Sequence, residues 1–183
     1  TNAMIVIDIP ENEYYDSVTE MFITIPAKRV KLEHSLVAIS KWESKWLKPF
    51  LGPGDKTMEQ KLDDISFMVL DEDEPTSIVN MMTESNLKSI IDYIESPMTA
   101  TTIRQSKSSK VSREIITSEL IYYWMISFNI PFECEYWHLN RLLMLINVCN
   151  VKNTPPKKAS TKDILARNRE LNAARRKALC TSG

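Results

Sequence analysis

Glycine is scarce in this 183-residue sequence, which contains only three. Loops that cradle phosphate groups use several glycines, because the backbone must approach the ligand closely. The sequence has neither a dinucleotide-binding GxGxxG pattern nor a nucleotide-binding GxxxxGK[ST] pattern, and GxSxG and HExxH are also missing. We therefore predict no enzyme, no bound cofactor and no metal.

Cysteine and long apolar runs are also sparse. The three cysteines, Cys134, Cys149 and Cys180, are an odd number without close spacing. This pattern favours a reducing cytosol over a disulfide-linked framework. No apolar run approaches the ~20 residues that a membrane-spanning helix needs, so we expect no membrane contact.

Charge is unevenly distributed, although the whole chain has a net charge of only −1. Residues 1–150 contain 14 Lys/Arg and 22 Asp/Glu, a net charge of −8. Residues 151–183 contain nine Lys/Arg and two Asp/Glu, a net charge of +7. The basic segment thus has an acidic partner in its own chain or in another copy, and nucleic acid would have to compete with it.

The beginning of the chain predicts a small β element. MIVIDI (4–9) and EMFITIPA (20–27) are short and rich in β-branched residues. They favour two strands of a hairpin joined by a polar loop. KRVKLEH (28–34) is a candidate third strand.

From Ser35 onwards, apolar residues recur every three to four positions, as in amphipathic helices. Predicted helix starts are marked by the N-cap residues Ser35, Thr57, Thr83 and Thr117 or Ser118. A strongly apolar helix is predicted over residues 134–150. The fold class is therefore α+β and mainly α-helical, with a small N-terminal hairpin or sheet, a helical bundle of about five helices and a basic C-terminal helix.

Composition also divides the chain into segments. We interpret residues 1–3 as the remnant of a cloning vector, 4–34 as the β element, 35–150 as the helical core packed with it, 151–160 as a linker and 161–183 as a basic helical extension.

Few side chains suggest a catalytic or metal-binding site. Glu135 and His138 are three residues apart on one predicted helical face, a spacing that di-iron proteins use twice, with further carboxylates. It occurs once here. Asp63 and Asp64 point about 100° apart on a helix, so we interpret them as solvated positions. The other candidates are interpreted as structural or core residues: His34, His138, Trp42 and Trp46.

The terminal helix is the predicted contact surface, and its candidate partner-binding residues are Ile164, Arg167, Leu171, Ala174, Arg175, Arg176 and Lys177. Its apolar stripe fits a hydrophobic groove with an acidic rim. A nucleic acid would leave that stripe exposed, and no aromatic residue lies among the basic ones for base stacking. Nucleic acid is therefore the less favoured ligand. The serine-rich loop 104–113 is a second candidate contact region.

Four blocks resemble a family of proteins encoded by tailed bacteriophages and prophages: LEHSLVAISKWESKWLKPFL (32–51), PMTATT (97–102), EIITSELIYYWMISFNIPFECEYWHLNRLLMLINVCN (114–150) and RNRELNAARRKALCTSG (167–183). We associate this family with tail assembly chaperones. The resemblance extends from about Met4 to Gly183. Its most specific parts are WESKW (42–46) and WHLNRLL (137–143).

The resemblance implies an assembly factor in the host cytoplasm. Such a factor would bind the tape-measure protein, a long aggregation-prone helical polypeptide, and aid assembly of the tail tube. Two alternatives stay open: a tail-completion or connector protein of the virion, and a phage protein that binds nucleic acid through the basic helix. Association of several copies is a further expectation.

Overall fold

The computed structural model describes residues 4–70, 75–103, 114–155 and 161–179. It consists of two compact units, Thr1–Cys149 and Asn150–Gly183. The described residues form seven α-helices and five short strands. The predicted α+β, mainly helical class is therefore confirmed.

The strands form two separate antiparallel sheets. Strand β1 (Ile5–Ile9) pairs with β4 (Lys28–Leu32), which also pairs with the two-residue β5 (Val69–Leu70). Strands β2 (Asn12–Asp16) and β3 (Met21–Ile25) pair only with each other within the described residues. The first sheet carries buried side chains, whereas the second is mostly exposed.

The predicted hairpin between the segments 4–9 and 20–27 is wrong. The segment predicted as its loop contains β2, so β3 pairs with β2 and β1 pairs with β4. Four of the five side chains of β2 are exposed. A strand without a buried face does not need to alternate between apolar and polar residues, and this alternation is the usual sequence signal of a strand. The predicted third strand at 28–34 is confirmed over its first five residues.

The helices begin close to the predicted caps. They are α1 (Leu36–Trp46), α2 (Met58–Met68), α3 (Pro75–Asn80), α4 (Glu84–Glu95), α5 (Ser118–Ser127), α6 (Leu139–Asn153) and α7 (Thr161–Leu179). The predicted N-caps Ser35, Thr57, Thr83 and Thr117 each accept a hydrogen bond from a backbone N–H three residues later. Thr57 and Thr83 also form complete capping boxes, which satisfy two otherwise unpaired donors each.

The helix predicted over 134–150 begins later than expected. Residues Phe132–Tyr136 form a 3-10 helix, Trp137 is extended, and α6 starts only at Leu139. The cause is a contact distant in sequence. The Leu139 N–H donates to the His34 carbonyl at 2.7 Å, which holds the chain in an extended conformation just before α6.

Several large apolar side chains of the helices are exposed. Helix α5 is rich in apolar residues, but Tyr123 and Ile126 are more than half exposed. Ile91 of α4 is about half exposed, and Met58 at the start of α2 is largely exposed. In each case one face of the helix packs against the body and the opposite face lacks a covering layer within the described residues.

The core consists of two clusters. One joins α1, α5 and α6 and contains the fully buried Trp42, whose Nε1–H donates to the Gln60 carbonyl at 2.8 Å. Trp46 packs at its edge and donates to the Asp63 carboxylate at 3.0 Å. The interpretation as a core residue is confirmed for Trp42, whereas Trp46 is partly buried at the edge of the core. The second cluster lies between the β1–β4 sheet and helices α2 to α4.

Glu43 connects three parts of the first cluster. One carboxylate oxygen accepts the Phe50 N–H at 2.9 Å, beyond the end of α1. The other accepts both the backbone N–H and the hydroxyl of Ser118 at the start of α5. Because the first N–H groups of a helix have no partner within it, Glu43 caps α5 from another element.

We expect Glu43→Ala to lower the free energy of unfolding by about 2 to 3 kcal/mol, because it leaves two backbone N–H groups without an acceptor. Urea unfolding followed by circular dichroism measures the change. The control is Lys41→Ala, an exposed position on the same helix, for which we expect a change within about 0.5 kcal/mol. A loss for Glu43→Ala as small as that of the control would contradict this role.

Candidate partner-binding site

Helix α7 contains all seven residues predicted to bind a partner. Every described side chain of residues 165–177 is exposed, including Leu171 at 46%. The backbone of Ile164 is part of α7, but its side chain is outside the part of the chain that the structure describes. The helix therefore offers a continuous exposed surface that is basic and partly apolar.

The seven residues do not all face one way. At about 100° per residue, Arg167, Leu171, Ala174 and Arg175 fall within an arc of about 100°, and position 164 falls inside the same arc. Arg176 and Lys177 lie outside it. A single partner surface can therefore contact the first group, whereas Arg176 and Lys177 point elsewhere. We refer to the residues Arg167, Leu171, Ala174 and Arg175 as the α7 contact face.

The second predicted contact region, the loop 104–113, lies outside the described residues.

Sequence reasoning missed a second exposed surface, the hairpin formed by β2 and β3. Tyr15 and Phe22 are opposite each other in its register and form an edge-to-face pair with ring centroids 5.3 Å apart. They are 54% and 67% exposed. Tyr14 and Met21, on the other face, are also about half exposed or more. The adjacent Tyr14 and Tyr15 could have indicated this surface. Neighbouring residues of a strand point to opposite faces, so each face of β2 carries one tyrosine.

The hairpin is purely acidic. Residues 10–26 contain four acidic side chains, Glu11, Glu13, Asp16 and Glu20, and no lysine or arginine. Glu13 lies two residues before Tyr15, so both point to the same face. We refer to the exposed residues Glu13, Tyr15 and Phe22 as the hairpin face. It combines two aromatic rings with a negative charge.

The turn of the hairpin is held by Asp16. Its carboxylate accepts the Val18 N–H at 3.0 Å and the Thr19 hydroxyl at 2.8 Å. These hydrogen bonds lower the pKa of the Asp16 carboxyl, because they stabilise its charged form. The two hydrogen bonds of Asp16 stabilise the turn, and Val18 at its tip is exposed to solvent.

The interpretation of Asp63 and Asp64 as solvated positions is wrong. They are only 9% and 8% exposed, because α2 packs against both α1 and α3. The Asp63 carboxylate accepts a hydrogen bond from Trp46 and forms an ion pair with Lys45. Asp64 has one carboxylate oxygen without a hydrogen-bond partner among the described residues. Burial raises the pKa of Asp64 from 3.8 to about 7, against the opposing attraction of Lys56.

The two histidines are buried, as their interpretation as structural residues requires. His138 Nδ1 accepts the Asn140 N–H at 3.1 Å, so its Nε2 carries the proton and donates to the Tyr93 carbonyl at 2.9 Å. His34 packs 5.6 Å from the His138 ring. Burial, together with His138 and Lys56, lowers the pKa of His34 to about 3. Both rings are neutral at pH 7 and are enclosed by the core.

The predicted Glu135–His138 pair does not share a helical face. Glu135 lies in the 3-10 helix and accepts the Tyr122 hydroxyl at 2.8 Å, whereas His138 lies beyond the extended Trp137. In the described part of the chain, no group of three or more His, Cys, Asp or Glu side chains is arranged to hold a metal ion.

None of the helices that the structure describes is long and apolar enough to cross a lipid bilayer. No protein-family model, curated protein or solved structure matches the chain.

The buried Asp64 predicts a pH-dependent stability. Because its folded pKa lies above its unfolded value of 3.8, the Asp64 contribution to stability falls as pH rises from about 4 to 7. Asp64→Asn should match the parent protein near pH 4. At pH 7.5 it should be more stable by up to about 4 kcal/mol.

Urea unfolding of both proteins at pH 4, 5.5 and 7.5 tests this prediction. His34 titrates in the opposite sense, since its folded pKa lies below its ordinary value of 6.5, but its contribution is common to both proteins and cancels in the difference. The control Asp63→Asn should be less stable than the parent at pH 7.5, because Asp63 has partners to lose. A difference for Asp64→Asn that does not change with pH would contradict the assignment.

Proposed function

We propose that this protein is a tail assembly chaperone of a bacteriophage, which acts in the host cytoplasm by binding the tape-measure protein and aiding assembly of the tail tube. The observation that carries the proposal is the α7 contact face, which exposes Leu171 between two arginines. The family resemblance of the blocks 32–51, 97–102, 114–150 and 167–183 supports the choice of partner.

The chemistry of this face favours a polypeptide over nucleic acid. Leu171 gains free energy only when an apolar surface covers it, at roughly 25 cal/mol per Å² removed from water. Phosphate groups would contact the arginines and leave the leucine in water. A groove with an apolar floor and an acidic rim satisfies both kinds of side chain.

A helix is also a suitable element for a reversible contact. The 19 residues of α7 span about 28 Å at 1.5 Å per residue. All described side chains of 165–177 are exposed in the single chain, so binding a partner requires no rearrangement of a core. A helical, aggregation-prone client offers apolar surface along its length, and a transiently bound basic helix can cover part of that surface.

The proposal predicts that co-expression with the tape-measure protein of the same gene cluster increases the soluble fraction of the latter and that the two proteins co-purify. Leu171→Glu should abolish co-purification, because it places a carboxylate in the apolar part of the contact. The matched control is Ala173→Glu, which adds the same group about 160° away on α7 and should co-purify normally.

Three outcomes would contradict the proposal: no gain in tape-measure solubility, no co-purification, or equal effects of the two substitutions. Mass spectrometry of purified virions separates the chaperone from a tail-completion or connector protein, because a chaperone should be scarce or absent in the particle.

Binding of nucleic acid is the second candidate function, favoured by six Lys/Arg against two Asp/Glu in α7. Mobility-shift measurements between roughly 50 and 200 mM salt test it, because neutralised phosphates release counterions and make the affinity salt-dependent. We expect no shift at the upper salt concentration, because the α7 contact face suits a polypeptide. A shift there that is lost on deleting residues 157–183 would favour nucleic acid.

A further inference from the structure

The hairpin of β2 and β3 has no covering element within the described residues. Among the strands that the structure describes, β2 and β3 pair only with each other. The rings of Tyr15 and Phe22 are largely exposed. An isolated two-stranded hairpin is only marginally stable in water, and packing against another element is what usually stabilises it. The hairpin face is therefore a candidate surface for packing against another element.

The charge of the hairpin restricts the kind of partner. Residues 10–26 have four acidic side chains and no basic one. A second hairpin would bring a net charge of −4 against −4, which opposes pairing of hairpins between copies. A fitting partner is basic and also carries apolar groups for Tyr15 and Phe22.

Helix α7 has this chemistry. Residues 161–179 have a net charge of +4, and the α7 contact face places Leu171 between Arg167 and Arg175. The two arginines are eight residues, or about 12 Å, apart along the axis. Arginine binds carboxylates and also stacks on aromatic rings, so Glu13, Tyr15 and Phe22 each have a complementary group on α7.

We infer that the hairpin face is the docking site for α7 of a second copy of this chain. Both surfaces are exposed within a single chain, so a second copy can cover them. Two copies that exchange helices reciprocally each donate one α7 and receive one, which covers both hairpins in a closed pair. This inference concerns self-association, and it makes the second copy and the client of the proposed function competitors for the same α7 contact face.

Complementary charge reversal tests the inference on the full-length chain. The first variant, Arg167→Glu with Arg175→Glu, makes the α7 contact face acidic. The second, Glu11→Lys with Glu13→Lys, makes the hairpin face basic and brings the net charge of residues 10–26 from −4 to 0. Each variant alone brings like charges together, so we expect self-association, measured by sedimentation velocity, to weaken at least about tenfold.

An equimolar mixture of the two variants should restore association, because the basic hairpin face of one variant meets the acidic α7 contact face of the other, and the reverse contact keeps the original charges. Only a contact between copies produces this result. Unaltered far-ultraviolet circular dichroism of each variant shows that it is folded.

Two matched controls test whether the effect is specific. Arg169→Glu with Arg176→Glu makes the same charge change on the opposite side of α7. Asp92→Lys with Glu95→Lys makes the same change as the hairpin variant on exposed positions of α4. Both controls should self-associate like the parent chain. A parent chain that stays monomeric up to millimolar concentration, or a mixture that stays dissociated, would overturn the inference.

Discussion

The structure depends on the short segment from Glu33 to Ser35, where the chain passes from the first sheet into the first helix. Leu32 belongs to the cluster beneath the sheet and Leu36 to the cluster between the helices, so a polar backbone crosses the interior between them. Buried N–H and C=O groups need partners. The Glu33 N–H donates to the Met68 carbonyl at 3.0 Å, and the His34 carbonyl accepts the Leu139 N–H at 2.7 Å. These two hydrogen bonds join both halves of the core.

The buried polar side chains of this segment also need hydrogen-bond partners. Glu33 accepts the Tyr93 hydroxyl at 2.9 Å, and burial raises the pKa of this carboxyl. Tyr93 in turn packs against His138 with ring centroids 4.9 Å apart and supplies the carbonyl that His138 contacts. These polar groups thus connect elements that are distant in sequence, whereas Glu33 Oε2 and His34 Nδ1 have no hydrogen-bond partner among the described residues.

Local sequence signals were sufficient for the class and for the starts of the helices with a capping residue, because a cap such as Thr57 acts on backbone groups three residues away. They were insufficient wherever a contact distant in sequence decides. The delayed start of α6 follows from the bond between Leu139 and His34, and the burial of Asp64 follows from the packing of α2 between two helices. The hairpin of β2 and β3 was not predicted, because exposed strands do not show the alternation of apolar and polar residues that marks a strand with one buried face. The α7 contact face was predicted from its apolar spacing, whereas the hairpin face was not.

Two surfaces are exposed among the described residues, an acidic aromatic hairpin and a basic helix with an exposed leucine, and both suit contact with polypeptides. Hydrogen–deuterium exchange of the full-length protein, alone and mixed with the tape-measure protein or with duplex DNA at 150 mM salt, tests this central claim most directly. The account predicts slower exchange of the amides of residues 161–179 with the tape-measure protein and no change with DNA. Protection by DNA, with none by the tape-measure protein, would contradict it.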